Sequence, residues 1–158
     1  MEAERLARLF EAAVPRDRVV ADPAALDVYS RDQTECPAGR PEVALLGESA
    51  EELQRVARIA VEHRIPLTPR VAGTNLAGLA IPARGGALVD LTRMNRILSI
   101  NETDMLAVIE PGVTFQQLVD ELAARELPLT VGIPLSPPET SVVANCLLDG
   151  LGNLSLLH

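Results

Sequence analysis

Residues 66–80 read PLTPRVAGTNLAGLA, and this stretch gives the clearest indication of what the protein binds. Ile65 and Leu67 predict a short apolar strand that leads into Arg70. A loop of small, hydroxyl-bearing and amide residues follows, containing Gly73, Thr74, Asn75 and Gly78. A strand that ends in such residues sets backbone N–H groups close to a phosphate. The segment therefore predicts a phosphate-binding loop.

An ordinary turn is the alternative interpretation of this loop. Gly and Asn tolerate left-handed backbone, so Gly-Thr-Asn also occurs in turns that bind nothing. The loop matches neither GxxxxGK[ST], the nucleotide-binding P-loop, nor the GxGxxG dinucleotide fingerprint. By itself the loop does not decide between these interpretations.

The composition excludes several classes of protein. The 158 residues are 47% hydrophobic but only 2% aromatic, which allows a core of Leu, Val, Ile and Ala in one domain or two small lobes. Few aromatic rings disfavour base stacking, and a net charge of −8 disfavours binding to a phosphate backbone. We therefore expect no nucleic-acid partner.

The cysteines and the hydropathy pattern indicate a cytoplasmic protein. Cys36 and Cys146 are far apart and fit no metal-ligand spacing, which favours reduced thiols. The first segment, MEAERLARLFEAAV, has the charge pattern of an amphipathic helix rather than of a signal peptide. No apolar run approaches the roughly 20 residues of a membrane helix.

The order of helices and strands predicts two α/β lobes, over residues 1–95 and 96–158. Helices are expected over residues 3–14, from Asp22, from Ser49 to His63, from Thr114, and from Thr140 or Ser141. Strands are expected over residues 43–46, from Pro66, and over residues 87–91, 95–100 and 105–109.

Five short motifs follow one another in a fixed order. They are a strand and helix over residues 41–63; Pro66, Pro69, Arg70, Gly73, Thr74 and Gly78; Gly85, Gly86, Leu91, Met94, Asn95 and Ile97; Val108, Pro111, Gly112, Val113 and Thr114; and Ser136, Pro137, Pro138, Thr140, Asn145, Leu147, Gly150 and Gly152. In this order they resemble the flavin-binding domain of the vanillyl-alcohol oxidase superfamily, the FAD-linked oxidases. The glycolate oxidase and D-lactate dehydrogenase FAD subunits of that family are similar.

The resemblance implies an α+β fold of the FAD-binding, PCMH type, with two small α/β lobes, the second incomplete, and FAD between them. The implied cofactor-binding residues are Arg70, Val71, Ala72, Gly73, Thr74, Asn75, Gly78, Pro134, Ser141 and Asn145. Residues 70–78 would hold the pyrophosphate through backbone N–H groups. Some relatives attach the flavin through a His in this loop, where Thr74 and Asn75 stand here, so the implied FAD is non-covalent.

The resemblance also implies the kind of activity. Family members oxidise 2-hydroxy acids, alcohols, phenols or amines by hydride transfer to FAD. A separate substrate domain supplies their catalytic residues. Since the sequence stops at His158, we expect a fragment or subunit that is not a complete enzyme alone. It would work as a homo-oligomer or with a partner subunit that supplies the missing half.

Two alternatives remain open at the level of sequence. Val71 and Ala72 stand where glycines are usual, and Asp149 where an Arg is often found. A non-catalytic scaffold or oligomerisation module that has lost flavin binding would account for these departures and is the second hypothesis. A reductase similar to the UDP-N-acetylenolpyruvylglucosamine reductases is a weaker alternative, because those enzymes also need a further catalytic domain.

Overall fold

The computed structural model of the chain describes residues 2–74, 77–132 and 137–147. It divides into two compact units, Met1–Arg93 and Met94–His158. Along the chain the helices and strands are α1 (Glu2–Phe10), β1 (Val19–Val20), α2 (Pro23–Leu26), β2 (Val43–Leu46), α3 (Ala50–His63), β3 (Leu67–Arg70), β4 (Ala87–Asp90), β5 (Ile97–Asn101), β6 (Leu106–Ile109), α4 (Phe115–Ala124) and α5 (Val142–Leu147). The assignment of residues 1–95 and 96–158 as two cofactor-binding lobes stays a prediction.

A four-stranded sheet forms the centre of the first unit, with the strand order β1-β2-β4-β3. β4 pairs in parallel with β2 on one side and with β3 on the other, while β1 runs antiparallel to β2. β4 is buried along its whole length, as expected for a central strand covered on both faces. β3 lies at the edge of the sheet, where the ring of Pro69 disrupts no ladder on its outer side.

The two faces of this sheet carry separate apolar clusters. On one face Val43 and Leu45 of β2 pack with residues of α1 and α3, including Phe10 and Val56. On the other face Ala44 packs with Leu26, Leu88, Val20 and Tyr29. Side chains alternate between the faces of a strand, so consecutive residues of β2 serve opposite clusters. The buried strand predicted over residues 43–46 is therefore confirmed.

Local capping signals fix where the helices begin. The Asp22 carboxylate accepts a hydrogen bond from Ala25 N at 2.9 Å and starts α2. The Ser49 hydroxyl accepts one from Glu52 N at 3.3 Å and starts α3. Such side-chain acceptors satisfy N–H groups that have no partner inside the helix. The expected starts at Asp22 and Ser49 are confirmed.

In the second unit, β5 and β6 form a two-stranded antiparallel sheet. Thr114 begins α4, since its hydroxyl accepts a hydrogen bond from Gln117 N at 3.1 Å. Phe115, Leu118 and Leu122 are the buried residues of this helix. Their spacing of three and four residues places them on one helix face, as the sequence pattern predicts.

Several features differ in detail from what the sequence predicts; β5, expected over residues 95–100, is Ile97–Asn101. α1 ends at Phe10 rather than near residue 14, because the chain turns there and buries Ala13 and Val14 in the core. β6 begins one residue later than expected, because Met105 has the left-handed φ of 54° and belongs to the turn. The sequence pattern missed β1, which has only two residues.

Candidate functional site

Three parallel strands of the first unit end side by side. Leu46 of β2 and Arg70 of β3 both pair with Asp90, the last residue of β4. The hydrogen bonding between β3 and β4 continues past Asp90, since Leu91 N donates to the Arg70 carbonyl at 2.8 Å. Ligands of open parallel sheets usually bind beyond this carboxyl edge. The loop that follows Arg70 therefore begins where a ligand is expected.

The start of this loop carries unpaired backbone donors. None of the N–H groups of Val71, Ala72, Gly73 and Thr74 donates a hydrogen bond to another described residue. Gly73 has a φ of +68°, whereas the φ of Ala72 is not positive. A change in the sign of φ between consecutive residues is typical of backbone nests, in which successive N–H groups face one anion. This segment therefore matches the donor arrangement that the sequence predicts for a phosphate-binding loop.

Val71 and Ala72 do not strain the loop. Neither residue has a positive φ, so neither position needs the conformational freedom of glycine. Val71 is half-buried and Ala72 is exposed. Gly78 does need to be glycine, because its φ is +72° and an added Cβ would lie 2.9 Å from Cys36 Sγ. Gly78 thus lets the loop pack closely against the polar segment that contains Cys36.

The Arg70 side chain is bound to the protein itself. Its Nη1 donates a hydrogen bond of 2.7 Å to the Arg31 carbonyl and lies 3.5 Å from the Tyr29 carbonyl. Its Cζ lies 5.6 Å from the centroid of the Tyr29 ring, within cation–π range. A Cβ added to Gly73 would lie 2.3 Å from Arg70 Nη2. The guanidinium therefore rests against the Gly73 backbone.

Tyr29 joins Arg70 to the central strand. Its hydroxyl donates to Asp90 Oδ2 at 2.9 Å, and Asp90 Oδ1 accepts from the N–H and the hydroxyl of Thr92. Burial, followed by the negative charge of Asp90, raises the pKa of Tyr29 to about 12. The phenol therefore stays neutral at physiological pH and acts as a donor.

In the second unit, the Ser141 hydroxyl already has a structural use. It donates to the Pro111 carbonyl at 2.5 Å and accepts from Ala144 N at 3.1 Å, which starts α5. A bridge between Thr114 and Ser141 ties the same segment to the start of α4. Ser141 is 1% exposed. Ser141 therefore caps α5 and connects the start of that helix to Pro111.

Two polar atoms near Ser141 are buried and unpaired. Asn145 Oδ1 and Thr140 Oγ1 have no hydrogen-bond partner among the described residues. Thr140 is 5% exposed, so bulk water does not easily compensate for the missing partner. Buried polar atoms without partners are uncommon and often belong to a site that binds a ligand. Asn145, a predicted site residue, fits this description.

The predicted site residues thus divide into groups. The structure places Arg70, Val71, Ala72, Gly73, Thr74 and Gly78 together in one loop of the first unit, and Ser141 and Asn145 in the second unit. Asn75 and Pro134 lie outside the described residues. Sequence reasoning missed Tyr29 and Asp90, which no local pattern connects to the loop. Thr140 was visible only as part of the SPPET motif.

Other kinds of site find no support in the described part of the chain. It contains no group of three or more His, Cys, Asp or Glu side chains able to hold a metal ion. Among its helices, none is both long enough and apolar enough to cross a membrane.

Comparison with known proteins identifies the family. Residues 41–158 match the family described as FAD binding domain. The chain belongs to this FAD-binding family. The resemblance to the FAD-linked oxidases is thereby confirmed, and FAD is the cofactor of the family.

Two curated relatives show the range of the family. The chain is 30% identical over 155 residues to the 4-cresol dehydrogenase [hydroxylating] flavoprotein subunit of Pseudomonas putida, which covers 96% of the chain and 30% of that protein. It is 34% identical over 100 residues to the glycolate oxidase subunit GlcD of Bacillus subtilis, which covers 63% of the chain and 21% of that protein. The chain thus spans less than a third of the length of each.

A solved structure shows the same fold. The crystal structure of p-cresol methylhydroxylase with substrate bound superposes with a TM-score of 0.83 at 29% identity. The superposition covers 92% of the chain and 29% of that protein. The expected α+β fold of the FAD-binding, PCMH type is confirmed.

Proposed function

We propose that this chain is the part of an FAD-linked oxidoreductase that binds FAD through the loop after β3. The observation that carries the proposal is the run of four N–H groups from Val71 to Thr74, at the carboxyl edge of a parallel sheet, that donate to no described residue. Main-chain donors neutralise a pyrophosphate without a basic surface, which suits a chain with a net charge of −8.

The residues of the loop fit this group. The positive φ of Gly73 gives the change in the sign of φ that is typical of a nest. Val71 and Ala72 have no positive φ, so the loop can approach an anion without backbone strain. In the second unit, taken by itself, Asn145 Oδ1 and Thr140 Oγ1 have no hydrogen-bond partner among the described residues, which leaves two polar atoms available to a ligand. Ser141 acts by holding the start of α5.

We also propose that the FAD is held without a covalent bond. The only histidines of the chain are His63 and His158, and His63 is exposed at the end of α3. Neither lies in the 70–78 loop. After denaturation with acid, the yellow colour should therefore remain in the supernatant. Colour that stays with the precipitated protein would show a covalent link.

The activity proposed for the whole protein is oxidation of a 2-hydroxy acid, alcohol or phenol. Bound FAD supplies the chemistry by accepting a hydride from the substrate. The names of the relatives support both substrate classes, since one is a glycolate oxidase subunit and another a 4-cresol dehydrogenase subunit. The residues assigned above bind and orient the cofactor, and no catalytic acid or base is assigned among them.

Titration with FAD tests the proposal, read as quenching of flavin fluorescence. The wild-type chain should bind FAD, and Gly73→Ala should weaken binding by about tenfold or more, since its φ of +68° is unfavourable for alanine. Gly132→Ala is the matched control, because its φ is not positive and no atom of the described residues lies within 4 Å of an added Cβ there. Far-UV circular dichroism should show the same fold for both variants.

The outcomes separate the two hypotheses. Binding by the wild type and by Gly132→Ala, with weak binding by Gly73→Ala, supports FAD binding by this loop. A wild-type chain that folds but has no measurable affinity for FAD would contradict the proposal. It would favour the alternative, a scaffold or oligomerisation module that has lost flavin binding.

We further propose that the chain works with a second copy or with a partner subunit. Leu98, Leu106 and Val108 of the β5–β6 sheet are each more than half exposed. Exposed apolar side chains grouped on one sheet are typical of surfaces that bind another protein. The Pseudomonas putida relative is itself a flavoprotein subunit.

A further inference from the structure

A continuous set of contacts connects the predicted phosphate loop to the centre of the first unit. It runs from Gly73 through Arg70 and Tyr29 to Asp90 and Thr92. Each member touches the next through packing, a cation–π contact or a hydrogen bond. We call these five residues the loop latch. Asp90 is the last residue of the buried strand β4 and Thr92 lies in the turn that follows, so the latch is attached to the most buried strand of the sheet.

The position of the Arg70 guanidinium decides what this residue can do. It occupies the space that a side chain at residue 73 would need, since an added Cβ would lie 2.6 Å from Arg70 Cζ and 2.9 Å from Nε. On another side it lies over the Tyr29 ring, and Nη1 donates to the Arg31 carbonyl. The guanidinium therefore fills the space between the loop backbone and the segment that contains Tyr29.

This arrangement needs the shape of arginine as well as its charge. A planar guanidinium stacks against a ring while donating in its own plane, whereas the compact ammonium of lysine cannot do both. The Tyr29 hydroxyl fixes the ring by donating to Asp90 Oδ2 at 2.9 Å. Loss of either Arg70 or Tyr29 should therefore free the loop in the same way.

The geometry points to Arg70 as a positioning residue, which with Tyr29 holds the Val71–Thr74 backbone in the shape that presents its N–H groups to a pyrophosphate. This inference rests on the proposed function for the identity of the ligand. It differs from a direct contact between the Arg70 guanidinium and phosphate.

The first test needs no ligand. Amide ¹⁵N order parameters should be measured for residues 71–74 in the wild type, Arg70→Met, Arg70→Lys and Tyr29→Leu. We expect values near 0.85 in the wild type and below about 0.6 in all three variants. Arg58→Met is the control, since Arg58 is exposed on α3 and the variant changes the charge equally. Unchanged order in Arg70→Met and Tyr29→Leu would overturn the inference.

The second test uses FAD. Arg70→Met and Tyr29→Leu should each weaken binding by about tenfold, and the double variant should weaken it little further, because both disrupt one latch. Arg70→Lys should bind as weakly as Arg70→Met. A direct contact with phosphate predicts the opposite: Arg70→Lys would restore binding, and Tyr29→Leu would have no effect.

The salt dependence of FAD binding gives a further distinction. Salt screens a direct contact between a cation and a phosphate, so loss of such a contact in Arg70→Met would flatten the salt dependence. If Arg70 only positions the loop, Arg70→Met should leave the slope of FAD affinity against salt concentration unchanged. If the folded wild type does not bind FAD, the proposed function fails, and the order parameters alone decide whether Arg70 and Tyr29 hold the loop.

Discussion

At the scale of single residues, Gly86 shows how backbone geometry and crowding act together. Its φ is +78°, a region that residues with a Cβ rarely adopt. An added Cβ would also lie 2.3 Å from the Pro66 carbonyl oxygen, which accepts the hydrogen bond of Ala87 N. The clash is with backbone, so no side-chain rotation relieves it. Gly86 therefore fixes where β4 begins beside β3.

We predict that Gly86→Ala lowers the free energy of unfolding by about 2 kcal/mol or more, from the strained φ together with the clash. Gly132→Ala, where an added Cβ has no neighbour within 4 Å among residues 2–74, 77–132 and 137–147, should change it by less than about 0.5 kcal/mol. Urea denaturation followed by circular dichroism measures both variants. Equal stability of the two would contradict this account of Gly86.

Tyr29 offers a second prediction at this scale, because it is the single tyrosine of a chain without tryptophan. The fold raises its pKa from 10.0 to about 12, so its stabilising effect is complete below pH 10 and is lost as the pH rises towards 12. Tyrosinate absorbance should therefore show a midpoint near 12 in the folded protein. Asp90→Asn should lower that midpoint, and the exposed Asp120→Asn should not.

At the scale of elements, a buried ion pair connects the start of α3 to the segment before β1. Glu52 accepts a hydrogen bond from Arg18 Nη1 at 2.9 Å and a second, short one from Nη2. The Arg18 and Glu52 side chains are only 10% and 11% exposed. Glu52 also accepts from Glu48 N at 3.0 Å, so one carboxylate caps the helix and pairs the arginine.

We predict that Glu52→Gln lowers the free energy of unfolding by roughly 2 kcal/mol at pH 7, because the buried Arg18 keeps only one of its two carboxylate partners, Glu48, at 3.0 Å. Glu51→Gln, an exposed neighbour in the same helical turn, is the control. The Arg18 hydrogen bond lowers the pKa of Glu52 from its usual 4.5. The unfolded chain therefore takes up this proton first as acid is added.

The pH dependence follows from that difference in pKa. The contribution of Glu52 is complete above pH 4.5 and is lost as the pH falls through the lowered pKa of the folded state. The stability gap between wild type and Glu52→Gln should therefore narrow below pH 4.5. A gap that stays constant down to strong acid would contradict the ionic account. Urea denaturation at a series of pH values measures it.

At the scale of the whole molecule, the β5–β6 sheet presents exposed apolar side chains. Leu106 and Val108 are two residues apart on β6, so their side chains lie on the same face of the sheet. Their pairing partners on β5 are Asn101 and Ser99, respectively. They are 63% and 55% exposed. A sheet of only two strands is marginally stable by itself. Contact with another chain would bury this face.

We predict that the chain self-associates at high concentration through this face. The double variant Leu106→Thr and Val108→Thr should lower the sedimentation coefficient observed at high concentration, while threonine keeps the preference for strand. Val28→Thr, which removes an apolar side chain 67% exposed in the first unit, should leave it unchanged. Equal association of all three proteins would rule out the β5–β6 face as the contact.

Local physics made much of this fold predictable. The strand at residues 43–46 and the cap at Ser49 depend on alternation and on hydrogen bonds between neighbours in sequence, which the residues themselves specify. The candidate site could be predicted only because five short motifs follow one another along the chain in the order typical of the FAD-linked oxidases. The loop was identified, whereas the contacts of its Arg70 were not, because Tyr29 lies 41 residues earlier.

The sequence alone determined the family, the loop after β3 and the starts of its main helices, since each depends on residues close together in the chain. The tertiary structure decided what individual side chains do. It brings Arg18 to Glu52 across 34 residues and Ser141 to the Pro111 carbonyl across 30. It brings Tyr29 and Arg70 together beside Asp90, through the strand order β1-β2-β4-β3 of the first unit. That order follows from burying two apolar faces at once, and no local pattern along the chain encodes it.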